Sequence, residues 1–281
     1  MIHSNTPGLW RGLLPWPGAQ THKHSRGRLG VVSGRAHQTG AARLAARAGM
    51  RVGAGWVQVL CPSDAAAVLA PVLEAALLTP FGSPESLGRE AAGLDAVVIG
   101  PGAGKGEDTI DAIDVLSVSG AALVIDADGL SAFKGRAEEL FTGLDRDDVL
   151  TPHEGEFERL FPGLLANGRE DAAVRAAQRA QAVVVLKGAE TVIAAPDGRC
   201  RINRNGSPWL ATAGTGDVLA GMIGGLVAQR MDSFEAASAA VWLHSEAASG
   251  FGPGLIAEDL PGLLPPVLRA LFEAERSAGS D

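Results

Sequence analysis

The stretch ATAGTGDVLAG, from Ala211 to Gly221, sets two glycines and two threonines ahead of one acid and then turns apolar. The VLAGMIGGLVAQR run after Asp217 has the apolar spacing of a buried helix. A loop of this kind delivers unpaired backbone N–H groups at a helix N-terminus, where the helix dipole favours an anion. Glycine lets a phosphate approach the backbone with no Cβ in the way. A carboxylate alone can stabilise a helix start, which accounts for Asp217 but not for the open glycines. Phosphoryl transfer uses both features. Amides of Gly214, Thr215 and Gly216 stabilise charge on the transferring group, and Asp217 accepts the proton of the attacking hydroxyl.

Other reactive residues stand upstream. Lys187, in LKGAETVIA, closes an apolar run; it can neutralise phosphate or be a solvated strand end. His153, in LTPHEGEFERL, follows a Thr-Pro turn beside Glu154 and Glu156, and can hydrogen-bond a carboxamide or ribose without titrating. Glu156 suits Mg²⁺ held through water, because Mg²⁺ keeps several waters and takes few carboxylates. Asp126 and Asp128, in VIDADGL, either share that duty or cap the next helix.

These residues need elements to hold them. Short apolar runs at 29–32, 56–60, 96–99, 122–125, 148–150, 182–186 and 191–195 read as strands. Segments 40–51, 108–117, 169–179 and 235–249 read as helices. Strands apolar on nearly every residue are covered on both faces, and strand–helix alternation gives a mostly parallel sheet between helical layers. A last strand, 200–203, pairs with 191–195 through PDGR as a hairpin. Six runs are followed at once by a reactive or glycine-rich cluster: SGR, CPSD, GPGAG, DADG, TPHEGE and KGAET. All six therefore fall at strand C-termini, the edge where open parallel sheets bind ligands.

Composition narrows the classes. The chain has 281 residues, 46% of them hydrophobic, and a net charge of −8. An acidic chain without a basic run is not built for nucleic acid. No apolar stretch reaches the roughly 18 residues that span a bilayer. The opening segment lacks the basic-then-apolar layout of a signal peptide, so a cytoplasmic location is expected. Cys61 and Cys200 are far apart and outside any CxxC pair, as two reduced thiols would be. The expected organisation is an irregular arm at 1–21 on a single domain at 22–281.

ATAGTGDVLAG resembles the anion-hole and catalytic-base motif of the ribokinase-like superfamily. HKHSRGRLGVVSG, IGPGAG, VIDADGL, LTPHEGEFERL and LKGAETVIA match, in order and spacing, the ADP/ATP-dependent NAD(P)H-hydrate dehydratases. The resemblance runs from about His22 to Gly250 and implies a ribokinase-like three-layer sandwich. It also implies cofactor repair: a nucleotide phosphorylates the hydroxyl of hydrated NADH or NADPH (NADHX or NADPHX), and phosphate elimination restores the cofactor. By resemblance, Lys187, Gly188, Ala189, Glu190, Thr191 and Gly216 hold the adenine nucleotide, ADP or ATP. Asp217 sits against the hydrate as base, and Ala41, Gly102 and His153 line the hydrate site. Mg²⁺ near Glu156, a homo-oligomer and a separate epimerase acting on the hydrate complete the expectation.

Three departures stand out. His24 replaces the usual Tyr, Glu154 replaces Pro in TPHPGE, and GSPWLAT at 206–212 replaces an NPG-type string. The rival enzyme is a related small-molecule kinase of hydroxyethylthiazole or pyridoxine type, which stops at the phosphorylated alcohol. A non-catalytic nucleotide sensor has little use for Asp217. A Rossmann dehydrogenase lacks support, since no GxGxxG follows the first strand.

Overall fold

The computed structural model describes residues 2–278. Met1 and residues 279–281, the outermost positions of the expected arm and domain, lie outside the described residues. The strands are β1 (Ile2–Ser4), β2 (Arg28–Val32), β3 (Trp56–Pro62), β4 (Leu77–Phe81) and β5 (Ala96–Ile99), then β6 (Ala122–Ile125), β7 (Val149–Leu150), β8 (Val183–Leu186), β9 (Thr191–Ala194) and β10 (Cys200–Asn203). They form one sheet in the order β1-β10-β9-β8-β7-β6-β5-β2-β3-β4. Every pairing is parallel except those of β9, which runs against both β8 and β10.

The helices are α1 (Gly40–Arg51), α2 (Ala66–Leu69), α3 (Pro84–Ala91), α4 (Glu107–Ser117), α5 (Asp128–Ala132), α6 (Ala137–Thr142), α7 (Glu154–Leu160), α8 (Arg169–Ala180), α9 (Thr215–Ala228), α10 (Ser233–Phe251) and α11 (Leu260–Ala278). They cover both faces. One core lies under α1, α9 and α10; the other lies under α3, α4, α7 and α8. This is the expected α/β sandwich. The central strands AVVI (β5) and VVVL (β8) are buried at every position, as strands covered on both sides must be.

Two strands were not legible. β4, LLTPF, is a half-exposed edge strand containing Pro80, and Pro is tolerated only at such an edge. β1 lies within the segment expected to be irregular, yet it pairs in parallel with β10, Ile2 opposite Cys200. Trp10 of the same segment is 1% exposed, and its Nε1 donates to Asn5 Oδ1 at 3.1 Å. Asn5 Nδ2 in turn donates to Asn203 Oδ1 and Ser238 O. Cys61 and Cys200 are both free and buried, and burial pushes both thiols up to about 11. Such thiols stay protonated and unreactive at neutral pH.

The α1–α9 contact sets the position of the acid. A Cβ on Gly221 would lie 2.2 Å from the Ala45 carbonyl oxygen, and one on Gly225 would lie 2.8 Å from Gly49 Cα. Only glycine permits the two backbones to touch there. With α1 on one side and β2, β5 and β6 on the other, α9 is buried almost throughout, and its N-terminus is fixed at the C-terminal edge of the sheet.

Candidate active site

Helix α9 starts from Gly214, whose φ of +90° is left-handed, and no side chain caps it. Its first amides are therefore open to an anion. The Thr215 hydroxyl does not face a ligand. It is shared by the carbonyls of Leu210 (2.9 Å) and Thr212 (3.0 Å), and so pins the loop that precedes the helix.

Lys187 reaches this point from the end of β8. Its Nζ donates to Asp126 Oδ1 at 2.6 Å, across 61 residues of sequence. A Cβ on Gly216 would meet Lys187 Nζ at 3.5 Å and Asp126 Oδ2 at 3.7 Å. The glycine loop, a cation and an acid thus meet at one point. Burial alone would lower the lysine's pKa, but Asp126, with Glu156 and Asp217 adding, holds it above the usual value.

Asp126, a candidate for either a metal role or a helix cap by its sequence, is 1% exposed. The residue after it, Ala127, has φ +50° and ψ −115°, a conformation that strains any residue with a Cβ. This turn brings both flanking acids to the site. Asp126 meets Lys187, while Asp128 accepts the Gly104 N–H at 3.1 Å and lies 3.7 Å from Lys105 Nζ. Burial pushes Asp217 up to about 6; Asp126 and Asp128 add to the rise and Lys187 opposes it.

His153 stands next to Lys187 through an isolated parallel bridge, and the Lys187 N–H donates to Pro152 O at 2.9 Å. Its Nδ1 caps α7 by accepting from Gly155 N and Glu156 N. Its Nε2 lies 3.4 Å from Glu156 Oε1. Glu156 closes the capping box by accepting the His153 N–H at 2.9 Å. Burial raises the Glu156 pKa, against the pull of Lys187. Among the described residues no three His, Cys, Asp or Glu side chains converge as a metal cage. Glu156, tied to the His153 backbone, fits a partner of metal-bound water better than a direct ligand.

A cleft of about 580 Å³ opens beside this cluster, bounded by Lys187, Gly188, Ala189, Thr191, Gly206–Pro208, Leu210, Ala211, Thr215, Gly216, Leu219, Val241, His244 and Ser245. That size suits a nucleotide. Glu190 is not among its walls; its side chain turns to Arg204, 3.3 Å away at the surface. Ala41 is half-buried in the first turn of α1, and Leu44 of the same helix approaches Gly214. Gly102 packs against Gly34, leaving no room for a Cβ on the latter, within 2 Å of the Gly102 carbonyl. Beyond that contact a second cleft of about 470 Å³ is lined by Ser33–Arg35, Asp64, Ser83 and Ala103 among others.

Two contributors escaped the sequence reading. Arg169, the first residue of α8, donates Nη2 to the carbonyls of Leu186, Lys187 and Glu190 at 3.1–3.2 Å. Glu154, the departure from the family pattern, pairs with the same guanidinium. The KGAET turn is thus held from outside by an ion pair whose partners lie in two other helices. The second contributor is His244 of α10, a lone histidine in an apolar run with no signal around it.

A mostly parallel sheet between helical layers, with a glycine-framed loop ahead of a half-buried acid at a helix start, defines a ribokinase-like protein. Within that class the chain belongs to the NAD(P)H-hydrate dehydratase family, whose sequence model matches residues 29–256. It is similar to the ADP/ATP-dependent NAD(P)H-hydrate dehydratase of Bacillus subtilis co-crystallised with ATP and Mg²⁺, with a TM-score of 0.83 and 31% identity over 96% of this chain and 99% of that one. The ADP-dependent (S)-NAD(P)H-hydrate dehydratase of Xanthomonas campestris is 33% identical, over 92% of this chain and 93% of that protein. The bifunctional NAD(P)H-hydrate repair enzyme Nnr of Gloeobacter violaceus is 40% identical over 88% of this chain. The chain spans about half the length of that enzyme, 51% of it.

Proposed function

We propose that the protein dehydrates (S)-NAD(P)H hydrate back to NAD(P)H at the expense of ADP or ATP. The observation that carries this reading is the meeting of Asp217, the α9 anion loop and the Asp126–Lys187 pair at the sheet edge. The names of the B. subtilis and X. campestris relatives support the substrate and the nucleotide.

In this reading the nucleotide lies in the cleft between the Lys187–Thr191 turn and α10. Its terminal phosphoryl group faces the amides of Gly214–Asp217, which stabilise the charge that spreads over its oxygens during transfer. Lys187 neutralises the same group. The hydrate enters past Ala41, Gly102 and His153, with its ring hydroxyl against Asp217, and the second cleft offers room for the rest of the dinucleotide. Asp217 takes the hydroxyl proton as the oxygen bonds to phosphorus and the terminal phosphoryl group's bond to the rest of the nucleotide breaks, releasing AMP from ADP or ADP from ATP. Loss of phosphate from that ring carbon, and of a proton from its neighbour, then restores the double bond. Mg²⁺ would be held through water by Glu156 and would supply positive charge to offset that of the phosphates.

Finer expectations belong to the same proposal. Residues 22–281 act as one domain bearing the 1–21 arm. The protein works in the cytoplasm as a homo-oligomer, alongside an epimerase activity that interconverts the hydrate's two forms. Among the described residues no helix is long and apolar enough to cross a membrane. The decisive assay mixes the protein with NADHX, Mg²⁺ and ADP or ATP in turn, and follows the near-ultraviolet absorbance of reduced nicotinamide. Appearance of NADH with release of phosphate is the expected result. Phosphorylation of a thiazole or pyridoxine alcohol without any NADH would replace this reading with the kinase.

A further inference from the structure

Two residues that line the nucleotide cleft each carry a buried polar atom without a hydrogen-bond partner: His244 Nε2 and Ser207 Oγ. Buried polar groups are nearly always paired, so each orphan calls for an explanation. His244 is only 6% exposed. It sits on α10 beside the apolar walls Leu219 and Val241, facing Ser207 and Leu210 of the 206–210 segment. Burial, aided by Lys187, pushes its pKa down to about 4, so the ring is neutral at physiological pH. A hydrogen bond to the Thr215 backbone works the other way and favours the charged ring, as a bond to a carbonyl does. The nitrogen facing Thr215 therefore carries the hydrogen, and Nε2 is a bare acceptor.

An acceptor has no use for phosphate, which offers only acceptors once ionised. It needs a neutral donor, and a nucleotide has two kinds: ribose hydroxyls and the exocyclic amino group of adenine. Phosphate is already served by Lys187 and the open amides of α9.

We propose that His244 Nε2 and Ser207 Oγ form a recognition pair for the neutral, hydrogen-bond-donating part of the nucleotide. His244 thereby reads the nucleoside, while the glycine loop reads the phosphates. This rests on the nucleotide reading of the cleft given above. It also gives a role to the GSPWLAT segment, whose Ser207 departs from the expected NPG-type string.

The test is calorimetric titration of the full chain with ADP, 2′-deoxy-ADP, inosine diphosphate and inorganic pyrophosphate. His244→Asn keeps an amide N–H near the Thr215 side and removes Nε2. It should weaken ADP roughly tenfold, as expected for a bound donor left without its acceptor, and leave pyrophosphate within twofold. His244→Gln, which returns a polar group near the Nε2 position, should recover part of the loss, and Ser207→Ala should weaken ADP by several-fold. A ribose partner shows as a wild-type preference for ADP over 2′-deoxy-ADP; a base partner shows as a preference over inosine diphosphate. Either preference should vanish in His244→Asn. The assignment is overturned if His244→Asn binds ADP like the wild type, or loses ADP and pyrophosphate equally; in the latter case the ring only holds the Thr215 loop. Failure of the wild type to bind ADP at all would remove the nucleotide reading together with this one.

Discussion

The proposed mechanism makes Asp217 a base, and its surroundings raise its proton affinity toward neutral pH. With a pKa of about 6, it is mostly ionised at neutral pH yet a stronger base than an exposed aspartate. Turnover should therefore fall as pH drops through about 6, which a kcat profile will show. Asp217→Asn should slow turnover by ~10²–10⁴-fold while ADP affinity stays within a few-fold. Near-normal turnover of that variant would remove Asp217 from the base role. Stability should move the opposite way. The native carboxyl holds its proton up to about pH 6 while the unfolded one loses it near 3.8, so the native state is progressively penalised as pH rises between those values. Asp217→Asn abolishes the penalty. Its melting temperature relative to wild type should be higher at pH 8 than at pH 4.

At the scale of elements, the site depends on how closely helices approach and on what ties their ends. Gly221→Ala would set a methyl group 2.2 Å from the Ala45 carbonyl oxygen, and the backbone there cannot yield cheaply. We expect a loss of about 2–3 kcal/mol by urea denaturation, as for overpacked cores. The same displacement should move the start of α9 and lower kcat. Arg169→Met tests the other tie. It leaves the carbonyls of Leu186, at the end of β8, and of Lys187 and Glu190 in the KGAET turn without this donor. The turn should loosen and the nucleotide KM rise about tenfold, a cost typical of lost bonds to a charged donor, with kcat within threefold. An unchanged KM would show that the turn holds its shape without α8.

Over the whole molecule, the first residues close the sheet that the last helices cover. β1 extends the β10 edge, and Trp10 packs on Trp242 of α10, ring centres 5.8 Å apart. Trp10→Ala should cost about 3–5 kcal/mol, the range for emptying a buried aromatic site. Its nucleotide KM should stay near wild type, because no atom of Trp10 borders the cleft. A raised KM at unchanged stability would mean that the arm acts on the site rather than on the fold.

The amino-acid sequence determined the alternation of strand and helix, the parallel sheet and the edge at which its reactive clusters stand. Such features follow from local periodicity and from glycines whose backbone conformation only they adopt. Tight edge motifs such as TPHEGE and AGTGD were legible for the same reason. Edge strands β1 and β4 were not, since a half-covered strand has no need of a continuous apolar run. Tertiary structure alone decided which distant groups meet. Asp126 finds Lys187 across 61 residues, Arg169 clamps a turn belonging to another strand, and His244, in the wall of the cleft, is left with an unmatched buried nitrogen. Such pairings depend on burial and on chain paths through space, neither of which is written in the spacing of neighbouring residues.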